Sequence, residues 1–171
     1  MNIKELILRT TSTRAFNPVW TIDDATIKDL IRLGTAAPNA GNEQSWYFYV
    51  YTTQERKDEL SEICYSQDFV KEASIVIVCC LKNNYETRYK DIAQFYKIQD
   101  IACACQNILL GCQQYGLGGC YVGAFDRVML QRILLKEVNL ENIISIIAIG
   151  KPIGDSLKPP RKNVEEVCKI I

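Results

Sequence analysis

Apolar residues recur at Ile3, Leu6 and Ile7, a spacing that predicts a helix over Asn2–Leu8. A second helical stripe, Ile27, Leu30, Ile31 and Gly34, follows the start signal Thr21-Ile22-Asp23-Asp24, whose acids suit the positive end of a helix dipole, and Pro38 closes it. The pattern then changes period. Trp46–Thr52 is aromatic and β-branched and predicts a strand, Gln54–Ile63 predicts a charged helix, and Ser74–Leu81 is an unbroken apolar run suited to a strand covered on both faces. Asp91–Tyr115 is the longest helical pattern. Its apolar positions nearly surround it and many are small, which predicts a buried central helix or a subunit interface. Gly116-Leu117-Gly118-Gly119 stops it, "CYVGAF" predicts a short strand, Val128–Lys136 a helix and Ile143–Ile149 a buried strand. Helices and strands mix without strict alternation, so the expected class is α+β, a small mixed or antiparallel central sheet flanked by helices, with residues 1–171 forming a single domain.

Composition narrows the partners. The 171 residues are 48% hydrophobic and 23% charged, with 20 basic and 20 acidic side chains, a balance that disfavours a general nucleic-acid binder. No apolar run is long enough for a membrane span, and Glu5 interrupts the short N-terminal apolar stretch, so a cytoplasmic protein without a secretion signal is expected. There are eight Cys and no His. The missing His removes His-based triads and His metal sites, and no Cys-x-x-Cys pair stands in the chain, so no metal site is expected. Most Cys lie in apolar runs, where a thiol behaves as a small hydrophobe, although a thiol-based redox sensor stays open as a reading.

Four segments carry the candidate chemistry: "RTTSTRAF", "APNAGNEQSW", "GLGGCYVGAF" and "KPPRKN". Singly, each has an ordinary reading as a helix cap, a polar turn, a helix C-cap or a solvated tail. Arg beside Ser and Thr also matches a phosphate clamp, and neutral amides match a flat ring edge with mixed donors and acceptors. In this order, "S-x-R-x-F", "A-P-x-x-G-N-x-Q-x-W", "G-L-G-x-C-x-x-G-x-F" and a late "P-R-K" resemble the FMN-dependent nitroreductase family, from about Leu6 to Val167.

That resemblance implies an intertwined homodimer with FMN at the interface and NADH or NADPH as electron donor. It places Ser12 and Arg14 on the flavin phosphate, ring or ribityl chain, and Arg161 on the phosphate. Many members have Arg-Arg-Ser where this chain has Thr10-Thr11-Ser12, so either Arg9 reaches around or the Thr10 and Thr11 hydroxyls take over. Pro38, Asn39, Ala40, Asn42 and Gln44 would lie beside the ring, with Ser45 replacing a Pro. Tyr121, Val122 and Gly123 would pass by the flavin N5. No acid, base or nucleophile of the chain stands out as catalytic, which suits a reaction whose chemistry the cofactor carries. The implied activity is ping-pong reduction of a small-molecule electron acceptor, nitroaromatic or quinone-like. The alternative is a flavin-binding regulator or carrier without steady turnover.

Overall fold

The computed structural model describes residues 2–82, 87–89, 92–134 and 136–171. The chain runs α1 (Ile3–Arg9), α2 (Asp24–Thr35), β1 (Trp46–Tyr51), α3 (Gln54–Ile63), α4 (Asp68–Glu72), β2 (Ile75–Leu81), α5 (Ala93–Cys112), β3 (Gly118–Val122), α6 (Arg127–Leu134), β4 (Ile143–Gly150) and α7 (Val164–Val167). The helix ends follow local chemistry. Asn2 and Glu5 close a capping box on α1, and the Asp23 carboxylate accepts from the Thr26 N–H at 2.9 Å to start α2. Gly116 takes the left-handed conformation, φ 62°, and lets the chain turn from the 3-10 end of α5 into β3. The expected helix start at Asp91, and much of the polar stretch over 82–90, lie outside the described residues.

The sheet has the order β1-β2-β4-β3, and each neighbouring pair is antiparallel. β2 is buried along its whole length, as its apolar run requires. Its alternate residues serve two cores. Val76, Val78 and Cys80 face Leu60, Ile63, Phe69 and Leu130 from α3, α4 and α6. Ile75, Ile77, Cys79 and Leu81 face Leu30 of α2 and Ile101, Ala104 and Ile108 of α5. Each fully buried Leu or Ile contributes about 1.5–3 kcal/mol relative to exposure. α2 and α5 meet closely at Gly34, where an added Cβ would stand 2.8 Å from Ile108 Cγ1.

α5 departs from the expectation of burial all round. Ala93, Asp100, Ile101, Ala104, Cys105, Ile108, Gly111 and Cys112 form its buried face, while Phe95, Ile98, Ala102 and Cys103 stay open. Of the cysteines, Cys103 and Cys168 are exposed and the other six buried. No helix among the described residues is long and apolar enough to cross a membrane.

Candidate functional site

The segment after α1 is extended and runs between two neighbours. Ser12 forms a parallel bridge with Gly119, the Thr13 N–H donates to the Gly119 carbonyl at 3.0 Å, and Phe16 bridges Pro152 on the other flank. Successive side chains of an extended segment point to opposite sides. Ser12 and Arg14 therefore share one cleft of about 240 Å³ with Ile153, Asp155, Ser156 and Leu157. Arg9, Thr10, Thr11 and Thr13 line another, of about 380 Å³, with Gln113, Gly118 and Gly119.

This sorting bears on the substituted phosphate motif. The Thr10 hydroxyl donates to the Leu6 carbonyl at 2.9 Å and accepts from the Gln113 amide at 2.8 Å. The Thr11 hydroxyl donates to the Leu157 carbonyl at 3.1 Å. Both threonines brace the chain. Ser12 and Arg14 are exposed and project toward the thiol of Cys120, whose pKa is raised by burial and held back by the Arg14 charge. Arg161 is exposed, four residues beyond Leu157, and donates to the Pro159 carbonyl at 3.2 Å.

β3 carries the third motif past this cleft. Tyr121 is 41% exposed, Val122 is buried and can offer only its backbone outward, and Gly123 follows the last paired residue. Among the described residues, a Cβ built on Gly123 meets nothing within 4 Å, so only backbone stands at the wall of the strand end. Hydroxyl, guanidinium and an uncovered backbone edge together fit a phosphorylated ring such as FMN.

The loop 37–46 is held in part by hydrogen bonds of its own side chains. The Asn39 carbonyl oxygen accepts from the Gln44 N–H at 2.9 Å, and its amide reaches the Ala37 carbonyl at 3.4 Å. Asn39 is thus a brace. Gly41, Asn42 and Gln44 have φ of 59°, 56° and 50°. The Gln44 amide donates to the Asn42 side-chain oxygen at 3.3 Å, and Pro38, Asn42 and Gln44 are exposed while Ala40 is half-buried. Side chains that sequence reasoning did not single out hold this shape. The buried Asp100 carboxylate accepts from the Ala40 N–H at 3.0 Å, Arg88 donates to the Gly41 carbonyl at 2.9 Å, and Thr87 donates to the Glu43 carboxylate at 3.0 Å. Burial raises the Asp100 pKa, and the Ala40 hydrogen bond opposes that rise. A lone acid beside Ile101 on the apolar side of a helix was the available signal for Asp100.

The first and third motifs thus come together in one chain, and the loop stays apart. It enters β1 on one sheet edge, while β3 forms the opposite edge. Three strand spacings, about 14 Å, separate the two edge strands.

The nitroreductase family model matches residues 7–73 and 64–151. An oxygen-insensitive NADPH nitroreductase of Helicobacter acinonychis is 24% identical over 192 aligned positions, covering 93% of this chain and 91% of that protein. The fold matches a nitroreductase-like protein of Streptococcus mutans with TM-score 0.86 at 20% identity, over 98% of this chain and 97% of that one. It matches the NADPH:FMN oxidoreductase of Vibrio harveyi equally well, TM-score 0.86 at 24% identity, over 98% and 76%. With the four motifs in order and the family's match running through most of its length, the chain belongs to the nitroreductase family.

Proposed function

We propose that this protein is an FMN-dependent NAD(P)H oxidoreductase that reduces nitroaromatic or quinone-like acceptors. The observation that carries the reading is the Ser12–Gly119 bridge, which sets the Ser12 and Arg14 side chains beside the strand ending at the open Gly123. The chemistry FMN supplies when bound is hydride uptake from NADH or NADPH, then two-electron delivery to the acceptor. The chain's residues bind and orient. Ser12 and Arg14, with Arg161 from the tail, offer hydroxyl and guanidinium donors to the phosphate and ribityl side. With FMN bound, the Gly123 N–H would donate at the ring, and the Arg14 charge would favour an anionic reduced form. Asn42 and Gln44 offer amides to a pyrimidine edge.

The loop that carries those amides reaches the flavin from a second copy of the chain. The 14 Å gap within one chain motivates this, as does the open apolar surface. Phe95 and Ile98 on α5, Ile3 and Ile7 on α1, and Val164, Val167 and Ile170 in the tail are all exposed. Joined into one patch, such exposed apolar side chains would suit an interface.

The experiment is an absorbance spectrum of the purified protein followed by anaerobic NADH or NADPH. Flavin bands that bleach, and recover on addition of a nitroaromatic or quinone, are expected. Protein that stays colourless and takes up no added FMN overturns the reading. Bound flavin that bleaches with no turnover of any acceptor points to the carrier alternative.

A further inference from the structure

Six of the eight cysteines are buried, and two of them touch. Cys79 lies on β2 and Cys105 on α5, and their sulfur atoms are 3.6 Å apart. Cys79 is paired across the sheet with Ser145 of β4, and the Ser145 hydroxyl lies 3.7 Å from the Cys105 sulfur. The ladder shifts register at this point, between Cys79 and Cys80. Ser145 also faces the Tyr121 phenol, which is partly exposed on the candidate site's strand. A line of polar groups therefore runs inward from Tyr121 through Ser145 to the two thiols.

We propose that Cys79 and Cys105 form a peroxide-reactive dithiol, closing to a disulfide that ties β2 to α5 beneath Tyr121. A bonded pair needs its sulfurs at about 2.05 Å, so the approach required is about 1.5 Å, shared between two side chains. Such a link joins elements that are far apart in sequence and already packed together.

The two thiols have different roles. The Cys105 thiol donates to the Cys79 sulfur, and either partner can donate in its contact with the Ser145 hydroxyl; these two contacts lower the Cys105 pKa against the effect of burial. The Cys79 pKa is raised, first by the contact with Cys105 and then by burial. Burial pushes Cys64, Cys80 and Cys112 up to about 12; Cys79 and Cys105 are as deeply buried and are set apart by their contact with each other. The Cys105 thiolate attacks a hydroperoxide oxygen. The S–O bond forms, the O–O bond breaks, and the departing oxide takes a proton and leaves as water or alcohol. The Cys79 sulfur then attacks the sulfenic acid. The S–S bond forms, the S–O bond breaks, and water leaves with the thiol proton. The pair has given two electrons to the peroxide. No flavin is needed, so this inference stands apart from the proposed function.

The test uses the full chain with Cys103→Ser and Cys168→Ser, which removes the exposed thiols. Hydrogen peroxide treatment is followed by alkylation in denaturant and peptide mass mapping. The expected result is the loss of two alkylation sites per chain, a cross-linked Cys79–Cys105 peptide lighter by two hydrogens, and full recovery with dithiothreitol. In Cys79→Ser, dimedone should trap a sulfenic acid on Cys105. If that variant does not fold, the cross-link map decides alone. Cys79 and Cys105 alkylated as completely as Cys64 and Cys112 after peroxide overturn the proposal, as does a disulfide between any other pair.

Discussion

Asp100 offers a direct test of how the loop 37–46 is held. Its buried carboxylate accepts the Ala40 N–H at 3.0 Å, at the start of a turn with Gly41, Asn42 and Gln44 in left-handed conformations. The two non-glycine residues each hold a conformation that costs roughly 1–2 kcal/mol. A hydrogen bond to a charged group contributes about 1.5–3 kcal/mol. Asp100→Ala removes the anchor, and the loop relaxes. In a chain of this length the lost bond lowers Tm by about 3–12 °C. If the loop completes the flavin site, FMN binding must re-form it, and the same 1.5–3 kcal/mol appears as about 10–150-fold weaker Kd. Fluorescence titration of FMN into the folded variant measures this.

Asp100→Asn separates the bond from the charge. It keeps an oxygen acceptor for the Ala40 N–H, so FMN affinity should stay within about threefold of wild type. Its pH dependence should differ. Burial raises the wild-type carboxyl above the ordinary 3.8, so the folded chain holds that proton more tightly than the unfolded chain. Between 3.8 and the raised value, unfolding releases a proton, and this group's contribution to stability falls as pH rises. Asp100→Asn lacks that loss, so its Tm should gain on wild type as pH rises through the window above 3.8. A folded Asp100→Ala protein with wild-type Kd for FMN refutes the anchoring argument.

Other changes probe the frame and the phosphate side. Gly34→Ala places a methyl 2.8 Å from Ile108 Cγ1 and should cost about 1–3 kcal/mol in urea unfolding; an unchanged midpoint would show that α2 and α5 part freely. Ser45→Ala removes a buried hydroxyl with no hydrogen-bond partner among the described residues, so it should stabilise by about 1 kcal/mol. A comparable loss in the same urea experiment contradicts that reading. Arg14→Ala should weaken FMN binding or lower its reduction potential without shifting Tm, because the side chain is exposed; unchanged occupancy and potential remove Arg14 from the site.

What was legible in the sequence depended on whether a residue's role is local. α3 over Gln54–Ile63 and the fully buried β2 follow from pattern alone, since a helical charge run and an unbroken apolar run each permit few alternatives. The pairing of Ser12 with Gly119 depends on two segments over a hundred residues apart, and only the motif order hinted at it. Within the loop, Asn39 looks like a ligand donor in sequence, yet its oxygen is taken by the Gln44 N–H. The five-residue α4 was missed because so short a helix depends on its contacts, here Phe69 and Val70 packed under the sheet. The Cys79–Cys105 contact was invisible for the same reason, joining a strand to a helix 26 positions away.

α5 ties both halves of the candidate site to one rigid rod. Asp100 in its first half holds the loop, and Gln113 just past its end holds Thr10. At 1.5 Å per residue these anchors stand about 20 Å apart. On the dimeric reading proposed above, a second copy brings the loop to the Ser12 and Arg14 side. Two-fold symmetry would then make two composite sites, each with one chain's loop and the other chain's Arg14. This arrangement predicts complementation between Asp100→Ala and Arg14→Ala chains carrying different tags. In a mixed dimer, one site carries both changes and the other carries neither. Co-expression in equal amounts gives half mixed dimers, so about a quarter of all sites should regain wild-type FMN affinity. Purification through both tags raises that share to about half. If each site lay within one chain, every site in the mixed dimer would keep a single defect, and titration would show no high-affinity class.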